Sequence, residues 1–200
     1  NGFLEDYAHV IQAFISLYEV TFDENWLQNA KQLTDYTFDN FYDEKAQFFS
    51  FTSHQDDPLI TNHFEVEDNV IPASNSVMAE ALFKLSIYFE ISYYEKICRQ
   101  MVKNIVPTVD YPSAFSNWLN VLLHFSEHNK ELAICGIKVL EYLEKLNKNY
   151  LPNMIIAGNV SVSKLPFLEN RFSDEETLFY LCQNKTCDIP TSDFKKITKE

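Results

Sequence analysis

Apolar residues recur every three to four positions through most of the first 125 residues of this 200-residue chain, and that spacing constrains the fold more than any other feature. Leu4, Tyr7, Ala8, Ile11, Phe14, Ile15 and Tyr18 form one stripe of a helix. Thr21-Phe22-Asp23-Glu24 reads as a capping box opening a second helix, with Trp26, Leu27, Ala30, Leu33, Thr37, Phe38 and Phe41 on its apolar side. Two helices joined by so short a turn must lie antiparallel. A third helix is expected from Ser74, carrying Val77, Met78, Ala81, Leu82, Leu85 and Phe89. Ser92-Tyr93-Tyr94-Glu95 repeats the capping-box pattern and opens a fourth, ended by Pro107. Tyr111-Pro112-Ser113 announces a fifth, with Phe115, Trp118, Leu119, Leu122 and Phe125.

A helical hairpin cannot bury both of its faces, so repeated hairpins stack into toroids or solenoids. Residues 1–128 are therefore read as hairpins of that kind. They are interrupted by an aromatic strand or hairpin arm at Gln47–Thr52 and a long acidic loop over residues 53–73. After His128 the pattern changes. Leu132–Gly136 and Met154–Gly158 are short apolar runs ending in glycine, with a helical stretch between them, which predicts a βαβ unit with parallel strands. Thr177–Cys182 is a third candidate strand, and a short helix is expected from Ser192. The expectation is a mainly α chain, with a small α/β appendage over residues 129–200.

The formal net charge of −13 argues against a nucleic-acid partner, which needs a basic footprint on phosphates. The only basic cluster is Lys195, Lys196 and Lys199. Anionic membrane surfaces are disfavoured for the same reason. No apolar run approaches the roughly 20 residues of a membrane span. The four cysteines do not make a disulfide scaffold. Cys98 and Cys135 read as buried thiols; Cys182 and Cys187 fit neither a CxxC nor a zinc spacing, and packing is the commoner reading beside a redox or metal pair. The two sequons, at Asn159 and Asn184, carry no weight without a secretory signal. These features together predict a reducing, cytoplasmic setting. A start at Asn1 rather than Met suggests a piece of a longer protein.

Four groups of residues carry candidate chemistry. Glu5, Asp6 and Tyr7, with His9, open the first helix. Glu5 and Asp6 diverge by about 100° there, and both suit the positive end of the helix dipole. Glu65, Glu67 and Asp68 precede a proline turn and the polar run Ser74-Asn75-Ser76. The amides of a helix start can hold a polar or anionic group, and acids with amides and hydroxyls near aromatics also hold sugars; the same residues serve equally as a helix cap. His54 and His63 with Asp56, Asp57, Glu65 and Asp68 lie on a loop that supplies no register for converging on a metal. Cys182 and Cys187 form the fourth group. No nucleophile elbow, P-loop or dinucleotide fingerprint is present, and no cofactor is expected.

Three motifs, in order, are Gly2-Phe3-Leu4-Glu5-Asp6-Tyr7-Ala8, Asp68-Asn69-Val70-Ile71-Pro72-Ala73-Ser74-Asn75-Ser76 and Tyr180-Leu181-Cys182-Gln183-Asn184-Lys185-Thr186-Cys187-Asp188-Ile189-Pro190. They resemble the C-terminal region of the YyaL-like proteins, the family of spermatogenesis-associated protein 20. The resemblance covers almost the whole chain. One departure is Pro72-Ala73-Ser74, where the family has Pro-Ser-Gly. The resemblance implies an upstream thioredoxin-like domain and an (α/α) toroid like that of six-hairpin glycosidases and N-acylglucosamine 2-epimerases. It also implies a central cavity lined by Glu5, Asp6, Tyr7, Asp68, Asn75 and Ser76. On the carbohydrate reading, Asp6 and Asp68 are the candidate acid–base residues, and Glu5, Tyr7, Asn75 and Ser76 hold a sugar or other small polar ligand. The other reading is a non-catalytic module that presents a polypeptide to the thioredoxin-like domain. Incomplete hairpin stacking predicts self-association through uncovered faces.

Overall fold

A computed structural model describes residues 2–57, 61–125, 129–183 and 185–197. His128, Asn184 and Lys199, which enter the sequence expectations above, lie outside the described residues. Among the described residues the chain is mainly α, with six α-helices and a small four-stranded sheet.

The helices lie where the apolar stripes put them: α1 (Leu4–Thr21), α2 (Glu24–Phe41), α3 (Ser74–Tyr88), α4 (Ser92–Ile105) and α5 (Ser116–His124). In α1 the stripe Leu4, Ala8, Ile11, Ile15 and Tyr18 is buried, with Tyr7 and Phe14 packed at its margin. The helix ends differ from the local capping expectation. Thr21 closes α1 rather than capping α2: its hydroxyl donates to the Leu17 carbonyl at 2.6 Å. Phe22 takes a left-handed φ of 54° and returns its N–H to Tyr18. The cap of α2 is Asp23, whose carboxylate accepts the Asn25 N–H at 3.0 Å. Ser92 is the first residue of α4, and its hydroxyl caps nothing.

Between α2 and α3 runs a short hairpin of two-residue strands, β1 (Tyr42–Asp43) with β2 (Phe48–Phe49), followed by irregular chain. A 3-10 turn at Pro112–Phe115 leads into α5. Beyond it, β3 (Lys130–Cys135), α6 (Val139–Leu146) and β4 (Met154–Asn159) form the strand–helix–strand unit read from the two apolar runs, with β3 and β4 parallel. Then β5 (Leu178–Gln183) pairs antiparallel with the other side of β3, and β6 (Thr186–Cys187) with β5, giving the order β4-β3-β5-β6.

One apolar core runs through both helices and sheet. The closest junction is at Gly158 of β4. The Tyr18 hydroxyl accepts the Gly158 N–H at 3.2 Å, and a methyl group at Gly158 would meet the Phe22 ring at 2.4 Å. The Tyr88 hydroxyl of α3 lies 3.1 Å from the Ile156 carbonyl. The sheet is thus set against the ends of α1 and α3, so that the chain just before β4 lies beside the polar face of α3.

Candidate functional site

The residues expected from sequence fall into two groups. At the start of α1, Asp6 is exposed, and its carboxylate accepts the Phe3 N–H at 2.9 Å as a helix cap. Tyr7 stacks on Tyr36 at 5.2 Å between ring centres. A hydrogen bond with Tyr36 and partial burial push its phenol upward from the ordinary tyrosine value.

Asp68, Asn75 and Ser76 form the second group, and none of the hydrogen bonds that hold them involves Glu5, Asp6 or Tyr7. The Asp68 carboxylate is buried and accepts three hydrogen bonds. One oxygen takes the Ala73 N–H at 3.0 Å and the Ser76 hydroxyl at 2.9 Å; the other takes the Asn117 N–H at 2.8 Å. A single side chain therefore ties the N-terminus of α3 to that of α5, where orphan N–H groups and helix dipoles favour negative charge. Glu65 accepts the Ser74 N–H at 3.0 Å beside it. Asn75 turns the other way, accepting the Phe49 N–H and donating to the Phe49 carbonyl, both at 2.9 Å, so that its amide pairs with β2 as a strand residue would.

Next to this junction is a cavity of about 570 Å³. The 76, 80, 84 face of α3 forms its floor, since residues four apart share one side of a helix. Asn117, Asn120 and His124 reach it from α5, and Gln12 from α1. Tyr150 and Asn153, ahead of β4, complete it. Asp68 stands behind the wall, holding Ser76 and Asn117 in place.

The chemistry is concentrated in Glu80 and His124. The imidazole Nε2 lies 3.0 and 2.9 Å from the two Glu80 oxygens, and Nδ1 lies 3.2 Å from the Asn129 side-chain oxygen. Phe83 stacks on the ring at 4.5 Å and 10°, fixing its plane. Burial pushes the Glu80 carboxyl up, but the hydrogen bond and charge of His124, with the Lys84 ammonium, outweigh it and hold the group below the ordinary glutamate value. Lys84 also donates to Glu19 at 2.8 Å, and Glu19 accepts the Tyr88 hydroxyl at 3.1 Å. Burial and the Glu19 charge raise the Tyr88 phenol well above its ordinary value, keeping it a donor. A chain of ion pairs and hydrogen bonds thus crosses α3, from Glu19 on α1 through Lys84 and Glu80 to His124 on α5. Such a network keeps the His124–Glu80 pair oriented at the cavity wall.

Neither residue stands in a motif, because 44 positions separate them. One local signal exists: Glu80 and Lys84 are the only charged residues of α3, a helix buried on nearly every side. Among the described residues no group of three or more His, Cys, Asp or Glu side chains is placed to hold a metal ion. His54 and His63 instead serve the loop backbone, through His54 N–H to Asn40 O and Phe51 N–H to His63 O. No helix among the described residues is long and apolar enough to cross a membrane.

Cys98 and Cys135 are buried free thiols, as their apolar surroundings predict. Cys182 and Cys187 correct the packing expectation, because they are joined in a disulfide. Their five-residue spacing brings them face to face only because β5 and β6 form a hairpin in which they are direct partners.

The chain matches no protein-family model. It is similar to spermatogenesis-associated protein 20 of Homo sapiens, 27% identical over 206 aligned positions. It is also similar to the proteins of that name from Rattus norvegicus and Mus musculus, at 28% and 27% identity. Each alignment covers 96% of this chain and 26% of the relative, so the chain spans about a quarter of the length of the curated relatives it matches. The similarity supports the family resemblance read from the motifs.

Proposed function

We propose that this chain contributes the wall of an (α/α) toroid whose polar cavity binds a small hydroxylated ligand of the carbohydrate class, with Glu80 and His124 as its acid–base pair. The observation that carries the reading is that pair, held within hydrogen-bond distance at the wall of a cavity of about 570 Å³. That volume lies in the range of small-molecule sites, roughly 300–1,000 Å³. Amides of Gln12, Asn117, Asn120 and Asn153 offer donors and acceptors suited to hydroxyl groups, and the exposed Tyr150 ring offers a surface for a sugar face.

In this reading Asp68 is a positioning residue. Its three hydrogen bonds set Ser76 and Asn117, and Asp6 caps α1. Proton movement is assigned to the imidazole, the side chain most often used as a general acid or base, because Glu80 holds it at the cavity wall. Saturation-transfer NMR with a panel of mono- and disaccharides tests the binding half. Deuterium uptake from solvent by a bound sugar tests the acid–base half. Uptake that disappears in His124→Gln while binding persists is the expected result. A panel without any binder contradicts the reading.

A second reading, a non-catalytic module presenting a polypeptide to a thioredoxin-like domain, is favoured by the acidic loop. Val70 is 95% and Ile71 50% exposed there, between Asp68 and the start of α3. Capture of a polypeptide that is lost in Val70→Asp/Ile71→Asp, with no sugar bound, is its signature.

A further inference from the structure

The disulfide between Cys182 and Cys187 lies on the opposite edge of the sheet from the cavity, and its surroundings are unlike those of a buried cross-link. Cys182 is 2% exposed, whereas Cys187 is open to solvent. Two clefts flank the pair. One, of about 360 Å³, is lined by Cys187, Arg171, Lys185, Glu131 and Phe167; the other, of about 210 Å³, by Cys182, Gln183, Thr186 and Asp188. The Arg171 guanidinium reaches both sulfurs, Nη1 at 3.7 Å from Cys182 Sγ and Nη2 at 3.5 Å from Cys187 Sγ. The rings of Phe167 and Tyr180, at 4.9 and 5.0 Å, hold it there. Among the described residues no carboxylate forms an ion pair with Arg171. The bridge also joins strands that are already paired in one hairpin, and cross-links closing short loops constrain the unfolded chain least.

We propose that Cys182 and Cys187 form a redox-active site that undergoes thiol–disulfide exchange with a dithiol, Arg171 stabilising the sulfur that leaves. A thiolate of the dithiol attacks the exposed Cys187 Sγ. A bond forms between these two sulfurs, the Cys182–Cys187 bond breaks, and Cys182 departs as a thiolate beside Arg171. The second thiol of the dithiol then attacks its partner sulfur in the mixed disulfide and expels Cys187 as a thiolate next to the same guanidinium. The dithiol loses two electrons and becomes a disulfide. The cysteine pair gains the two electrons and takes up the two protons released. Leaving-group stabilisation accelerates such exchange, and a neighbouring cation favours the thiolate. Cys98 and Cys135 lack this setting: burial pushes both thiols up, that of Cys135 to about 12.

The test is reduction of the native chain with dithiothreitol, followed by iodoacetamide labelling and peptide mass mapping. The expected result is joint labelling of Cys182 and Cys187 only after reduction, with Cys98 and Cys135 unlabelled throughout. Arg171→Gln should slow the reduction several-fold, and Arg171→Lys should recover most of the rate. A pair that is reduced only when Cys98 and Cys135 also become labelled overturns the proposal. So does an unchanged rate in a folded Arg171→Gln. Should that variant unfold, Cys182→Ser decides: labelling of Cys187 with a midpoint below the ordinary thiol value of about 8.5 supports the proposal, and a midpoint at or above it overturns it.

Discussion

At the scale of single residues, the surroundings of Glu80 set the chemistry of the cavity wall. Its carboxyl is held below the ordinary value in the folded chain by His124 and Lys84 acting against burial. A depressed carboxyl means that the unfolded chain binds the proton first on acidification. Glu80 therefore contributes its stabilisation above the ordinary glutamate value of 4.5, and loses it as pH falls through and below that range. Melting temperature followed from about pH 7 down to about pH 3 should fall less steeply in Glu80→Gln than in the parent chain. Equal slopes would show that the carboxylate is not engaged as described. The pairing of Glu80 with His124 is not legible from local sequence, although Glu80 and Lys84 stand out as the only charged residues of a buried helix. The pair exists only because α3 and α5 share an N-terminal junction.

At the scale of elements, that junction is the Asp68 carboxylate. Asp68→Ala leaves the Ala73 and Asn117 N–H groups, one from each helix start, without their acceptor, while the Ser76 hydroxyl keeps the Ala73 carbonyl, so it should lower stability by about 2–3 kcal/mol in urea unfolding. Asp68→Asn, which keeps an acceptor oxygen, should cost less. A change below about 0.5 kcal/mol for the alanine variant would refute the junction. A comparable test applies where sheet meets helices. Gly158→Ala places a methyl group against the Phe22 ring and should destabilise by about 1–3 kcal/mol, which Phe22→Ala should partly relieve. The helices themselves were readable because their apolar period is local. Their ends were not. Thr21 and Ser92 have the composition of caps, yet Asp23 takes the first role and no side chain the second, while α3 is capped by Glu65 and Asp68 from across the loop. The Cys182–Cys187 bridge escaped sequence reading for a related reason, since its geometry depends on a hairpin and not on spacing.

At the scale of the whole molecule, helical hairpins and a small sheet share one core, yet α1 keeps Val10, Leu17 and Val20 exposed at 38–57%. Positions 10, 17 and 20 are seven and three residues apart and so lie along one side of the helix. In the proposed toroid this side would be covered by a neighbouring hairpin. Alone, the chain should self-associate through it, seen by light scattering as a mass that rises with concentration and returns to that of one chain in Val10→Lys/Leu17→Lys. A single-chain mass at all concentrations would contradict that expectation. The cavity itself is formed by α1, α3, α5 and the segment before β4, all within this chain. Its ligand-binding role can therefore be tested directly, by thermal shift of the chain against mono- and disaccharides in parallel with Asn120→Ala and Glu80→Gln. A ligand at a hundred times its dissociation constant stabilises the native state by about 2.7 kcal/mol. The expected result is a reproducible rise in melting temperature that is reduced or lost in Asn120→Ala and kept in Glu80→Gln. No rise across the panel, or a rise that Asn120→Ala leaves intact, would contradict the carbohydrate reading.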